Sequence, residues 1–126
     1  MQVLVQNSSP STQWPYEYGV LVQTQNITII EGSQALLIAR AEFSANSTES
    51  VVKLRLGWKA SEPAGEAALG MSSSTRLTAD YEQTIQIHEW FGNLNPGVYT
   101  FYLLYDAQSV IPETTASNGL ITVIIF

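Results

Sequence analysis

The chain has 126 residues, enough for one domain with its own core, and it holds no cysteine, which excludes disulfides and thiolate metal sites. Charged residues are 13% of it and the net charge is −6 with five basic residues, so a phosphate backbone is a poor partner and no nucleic acid is expected. No apolar run approaches the roughly 20 residues of a membrane-spanning helix, and M-Q-V-L-V-Q at the start lacks the basic and apolar regions of a signal peptide; the expectation is a soluble chain, complete from its own Met, without membrane insertion.

In chain order, Gln2 to Gln6 predicts a short strand. Asn7 to Pro15 predicts a polar connector that runs into the aromatic cluster Trp14-Pro15-Tyr16-Glu17-Tyr18-Gly19. Val20 to Ile30 predicts a strand closed by a turn at Glu31-Gly32-Ser33. Gln34 to Phe43 sets Ala35, Leu37, Ala39, Ala41 and Phe43 on one face and Leu36, Ile38, Arg40 and Glu42 on the other, a strand buried at its start and half-exposed at its finish. Val51 to Trp58 alternates most cleanly, with Val52, Leu54, Leu56 and Trp58 inward and Lys53, Arg55 and Gly57 outward. Lys59 to Ser74 reads as a long loop, with one helical turn over Glu66 to Leu69. Thr75 to Ala79 reads as a short strand, and Gln83 to Trp90 as a better one with Ile85 and Ile87 on its apolar face.

Gly92 to Ala107 is the stretch around which the rest is organised. Asn95-Pro96-Gly97 makes a turn, and the following strand carries Phe101, Leu103 and Tyr105 on one face and Tyr102 and Leu104 on the other. Neither face is polar, so both should be covered. After a last loop from Gln108 to Asn118, Leu120 to Phe126 has nearly the same property and is expected beside it. Two such strands suggest a core on one side and a partner subunit on the other. With seven to eight strands, turns of Gly, Pro, Asn and Ser and no convincing helical period, the fold class is all-β, an antiparallel β-sandwich over residues 20–126 with an N-terminal arm over 1–19.

The segments N-I-T-I-I-E-G-S-Q-A-L-L-I-A-R-A-E-F-S, V-K-L-R-L, L-N-P-G-V-Y-T-F-Y-L-L-Y and A-S-N-G-L-I-T-V-I-I-F resemble a phage virion-associated jelly-roll domain. That type is similar in turn to the trimeric tumour-necrosis-factor/complement jelly roll, and the resemblance covers Val20 to Phe126. It implies a jelly roll, a homotrimer with the C-terminal strand near the three-fold axis, and a virion location as a capsid decoration or a head- or tail-fibre knob beside other capsid proteins. On this reading Tyr102, Leu104, Ile121, Val123 and Ile125 are the oligomer-interface candidates, unless they are the set facing the protomer's own core.

The residues of catalysis are sparse. His88 is the only histidine and has no second ligand beside it, so it reads as a strand residue and no metal is expected. Asp80 and Asp106 stand without a G-x-S-x-G elbow around Ser72 to Ser74, and Glu62 and Glu66 fall in the predicted loop. No Gly-rich loop precedes a helix, so no cofactor is expected and the chain reads as non-enzymatic. Trp14, Tyr16 and Tyr18 are the candidates for a surface recognising a host glycan or receptor, together with the loops Lys59 to Ser74 and Gln108 to Asn118; the alternative is that the three aromatics pin the arm to the sandwich. Asn7-Ser8-Ser9, Asn26-Ile27-Thr28 and Asn46-Ser47-Thr48 fit the N-glycosylation acceptor, with Asn46 the plausible site in a cell that glycosylates.

Overall fold

Alternating side chains and turn residues resolve, in a computed structural model, into two antiparallel sheets packed face to face. The structure describes residues 2–7, 18–45, 50–62, 67–77, 82–92, 94–106 and 114–126, and among these there is no helix. The strands are β1 (Gln2–Asn7), β2 (Tyr18–Gln23), β3 (Ile27–Ile29), β4 (Ala35–Ala45), β5 (Ser50–Glu62), β6 (Ala68–Leu77), β7 (Glu82–Phe91), β8 (Gly97–Asp106) and β9 (Thr114–Ile125). The first sheet runs β1-β9-β4-β7; the second runs β2-β8-β5-β6, with β3 also on β8.

The inward alternation of each strand builds the core. Leu37, Ala39, Phe43, Ile121 and Val123 of the first sheet meet Val22, Val52, Leu54, Leu56, Phe101 and Leu103 of the second, all out of water. One end is closed by aromatic rings: Trp58 stands edge-on to Phe91 at 4.9 Å, and Tyr99 stacks on Phe101 at 6.1 Å with its hydroxyl donating to Asn95 O at 2.7 Å. The clean alternation of Val52 to Trp58 thus faces the way its pattern predicts.

Several expectations change. Val20 to Ile30 is two strands, because buried Thr24 takes over the ladder at the break. Its N–H donates to Phe101 O at 2.9 Å, while its hydroxyl accepts from Phe101 N at 3.0 Å and donates to Gln25 O at 2.8 Å. The predicted loop from Lys59 to Ser74 is strand at both ends: β5 continues to Glu62, and Ser72, Ser73 and Ser74 pair with Arg55, Leu54 and Lys53. Serine is a poor strand former, but ladder hydrogen bonds come from the backbone, and on an edge strand small polar side chains are tolerated. Leu69, expected in a helical turn, is in β6, and the short strand from Thr75 is the end of β6; Glu66 and Ala79 lie outside the described residues. Thr114 to Asn118, expected as loop, already belong to β9.

The largest change concerns the two apolar strands. β9 does not lie beside β8; it pairs with β1 and β4 in the opposite sheet. Both faces of β8 are nevertheless covered. β1, expected in an arm, is the edge strand of the first sheet, and Tyr18 and Gly19 open β2.

Two bulges adjust the sheets. On β9, Asn118 and Gly119 together oppose Ala41, with Asn118 at φ 52°, a left-handed conformation that Asn adopts more readily than most residues. On β6, Gly70 and Met71 together oppose Leu56. The Met71 N–H donates across to Glu89 Oε2 of β7 at 2.8 Å, and a Cβ at position 70 would collide with that carboxylate and come within 2.8 Å of Trp58, so a larger residue there makes both side chains shift.

Candidate interaction face

A sheet side chain is placed by parity: residues opposite one another in register share a face. On the outer face of the first sheet this rule aligns Val3, Ile124, Leu36 and Trp90 in one row across all four strands. The next row is Val5, Thr122, Ile38 and His88. Phe126 follows Ile124 on the same side and its ring lies 5.4 Å from that of Trp90. The backbones of Gln34 and Phe126 bond to each other and hold the end of β9 against the start of β4.

Four of these side chains are exposed. Val3 is 55% exposed, Val5 57%, Trp90 51% and Phe126 53%, while Leu36, Ile38 and Ile124 between them are half-buried. Singly exposed apolar residues are ordinary on a protein surface, but a contiguous group crossing a whole sheet marks an interaction site.

The other end of the face is polar. Asn118, held by its bulge, donates from Nδ2 to Glu42 Oε2 at 2.6 Å. That bond first, and a shared hydrogen bond with Glu82 second, hold the Glu42 carboxyl below its ordinary value of 4.5. Glu82, bonded to and repelled by Glu42, is held above it. The face therefore grades from apolar rows at one end to a carboxyl pair at the other.

The expected interface residues fall elsewhere. Ile121 and Val123 are wholly buried and Ile125 is 8% exposed, all three in the protomer's own core. They are corrected as interface candidates, since a side chain enclosed between its own two sheets has no surface left for a second subunit. The outer set of β9 is Leu120, Thr122 and Ile124. Tyr102 and Leu104 point out of the second sheet but are also buried, packed with Tyr18, Val20, Ala67 and Leu69. Arg55 spans this side, donating from Nε to Gly70 O at 3.2 Å and from Nη1 to the Tyr18 hydroxyl at 3.3 Å. Burial raises the Tyr102 phenol above 10.0. Tyr18, one of three recognition candidates, is thus brought together with Tyr102 and Leu104, while Trp14 and Tyr16 lie outside the described residues.

His88 is exposed on the outer face opposite Ile38. Asp106 ends β8 opposite Tyr18 and Glu62 ends β5, whereas Asp80 and Glu66 lie outside the described residues. Among the described residues no three His, Asp or Glu side chains are grouped to hold a metal ion, and no helix is long and apolar enough to cross a membrane. Asn26 is exposed between β2 and β3 with its Oδ1 accepting from the Thr100 hydroxyl at 3.0 Å; Asn46 lies outside the described residues. The outer-face row was not singled out from the sequence, although its signal was present: Leu36 and Ile38 make the second face of β4 apolar, and Trp90 has the opposite parity to Ile85 and Ile87.

The fold and this face define a class, an all-β sandwich with exposed apolar side chains grouped on the outer face of one sheet. No protein-family model matches the chain, and no curated protein matches it in sequence.

Proposed function

We propose that the chain is a non-enzymatic structural protein of a virus particle, a jelly-roll protomer that decorates a capsid or forms a fibre knob and is held in its assembly by the outer face of the first sheet. The observation that carries the assembly role is the row Val3, Ile124, Leu36 and Trp90, four apolar side chains abreast on an outer sheet face, with Val3 and Trp90 more than half exposed. Burying such a face gains on the order of 25 cal/mol per Å² before association costs are subtracted, so its occupation by protein is favoured over exposure. The jelly-roll reading is supported by the pairing pattern. Counting β2 and β3 as one interrupted strand on β8, the chain pairs first with last and inward in turn, β1 with β9, β2 with β8, β4 with β7 and β5 with β6, as a long hairpin rolled into two sheets would. The virion setting and the neighbouring capsid proteins rest on the sequence resemblance, which also implies a homotrimer, the alternative to a two-fold pair.

The test is the mass of the purified protein by light scattering on a sizing column, for the wild type and for Ile124→Asp. The reading expects an assembled wild type and a lower mass for the variant. A one-protomer mass at all concentrations would remove self-association from it.

A second reading, recognition of a host glycan or receptor, is favoured by the exposed Trp90 and Phe126 rings, tilted 48° to each other beside His88. Aromatic faces of this kind stack on sugars. Glycan-array binding that Trp90→Ala abolishes would support it, and an array without binding would leave the structural role alone.

A further inference from the structure

We infer that the occupant of the outer face of the first sheet is the same face of a second copy of this chain, the two related by a two-fold axis; this rests on the reading of that face as an assembly surface. The first ground is charge. The chain carries a net charge of −6, so most surfaces of two copies repel, whereas the rows Val3-Ile124-Leu36-Trp90 and Val5-Thr122-Ile38-His88 contain no Lys, Arg, Asp or Glu. Two copies can meet there without burying a fixed charge.

The second ground is the number of apolar patches. A head-to-tail ring, a trimer included, needs two different surfaces on each subunit, one to give and one to receive. Among the described residues the large exposed hydrophobics outside this face are Ile30, in the turn after β3, and Met71, on β6 of the other sheet. Each stands alone. With one such group among the described residues, the arrangement that covers the Trp90 and Phe126 rings of both copies is the group against itself.

Size sets the strength. Strands about 4.8 Å apart and about 3.4 Å per residue make the charge-free part of the face, from Gln34 to Ile38, roughly 19 by 17 Å, or about 650 Å² for two copies, below the roughly 1,200 Å² of stable specific interfaces. Sheet-on-sheet packing in sandwiches has this geometry. The pairing is therefore reversible and concentration-dependent.

The experiment is mass against concentration for the wild type, Val5→Lys, Trp90→Lys and Met71→Lys, each checked for an unchanged far-UV circular dichroism spectrum. The wild type and Met71→Lys should pass from one-protomer to two-protomer mass, and the midpoints for Val5→Lys and Trp90→Lys should rise about tenfold or more. A three-protomer mass that Val5→Lys dissolves, or a pairing lost in Met71→Lys, overturns the two-fold inference and leaves the assembly reading standing. A wild type that stays monomeric, or an assembly indifferent to both Val5→Lys and Trp90→Lys, overturns both.

Discussion

Replacing Thr24 by Val keeps the shape of the side chain and removes one oxygen, which makes it a direct measure of how the break between β2 and β3 is held. The hydroxyl accepts the N–H of Phe101, a residue wholly out of water, and donates to Gln25 O. In Thr24→Val the amide is left buried and unsatisfied, costing about 1–3 kcal/mol. A central value of about 2 kcal/mol can be converted to temperature. At about 2.1 cal/mol/K per residue, 126 residues have an unfolding entropy of about 0.26 kcal/mol/K, so Tm should fall by roughly 8 °C. In urea, with a slope of about 1.5 kcal/mol/M, the midpoint should move down by about 1.3 M with the slope unchanged. Thr24→Ser is the control: it keeps the hydroxyl and loses one buried methyl, about 0.8 kcal/mol. All three proteins are compared at one low concentration, because association stabilises the folded state by mass action. If Thr24→Val is no less stable than Thr24→Ser, the hydroxyl does not replace the ladder and the account of the interrupted strand is wrong.

The placement of β9 separates two substitutions one residue apart. Val123→Asp puts a carboxylate in the closed core and should abolish cooperative unfolding and soluble expression, whereas Ile124→Asp on the outer face should fold, with circular dichroism as the readout; a well-folded Val123→Asp would mean that the inner and outer faces are exchanged. Gly70→Ala forces Glu89 off the Met71 N–H and crowds Trp58, and should cost about 1–3 kcal/mol by urea unfolding; a change below about 0.5 kcal/mol would show that the bulge has room to spare. Glu82 is held above 4.5 by its neighbour, so the folded state binds its proton more tightly than the unfolded chain does. Its contribution favours folding at pH below 4.5 and is lost as pH rises through the raised value. Glu42, held below 4.5, has the opposite sign: its contribution is present above 4.5 and lost as pH falls through its lowered value. Glu82→Gln, which removes the repulsion and keeps a donor for Glu42, should therefore raise Tm at about pH 7, with the gain vanishing as pH falls to about 4; a gain independent of pH would exclude the carboxyl pair as its cause.

Where alternation contrasts apolar with polar, the strand and its inward face were legible. Val52, Leu54, Leu56 and Trp58 against Lys53 and Arg55 is the clearest case, because only one arrangement keeps two charges in water. Ala35 to Phe43 was legible for the same reason at its Arg40 and Glu42 end. Where the residues are small or polar, local preference pointed the wrong way: A-L-G-M-S-S-S reads as loop, and becomes an edge strand because β5 offers it a ladder. The candidate face was half legible. Each strand's second apolar side could be seen, but not that these sides lie abreast, because register between strands distant in sequence is set by tertiary packing.

By itself, then, the sequence determined the all-β class, most of the strands and the fact that β8 and β9 are apolar on both sides. It could not determine which side of β9 faces inward, for Leu120, Thr122 and Ile124 are nearly as apolar as Ile121, Val123 and Ile125. The tertiary structure decided it. A strand's side chains repeat every two residues, so the one extra residue of the bulge at Asn118-Gly119 exchanges inside for outside along the rest of β9 relative to β4. In the resulting register Ile121, Val123 and Ile125 fill the core beside Leu37, and Ile124 completes the outer row with Val3, Leu36 and Trp90.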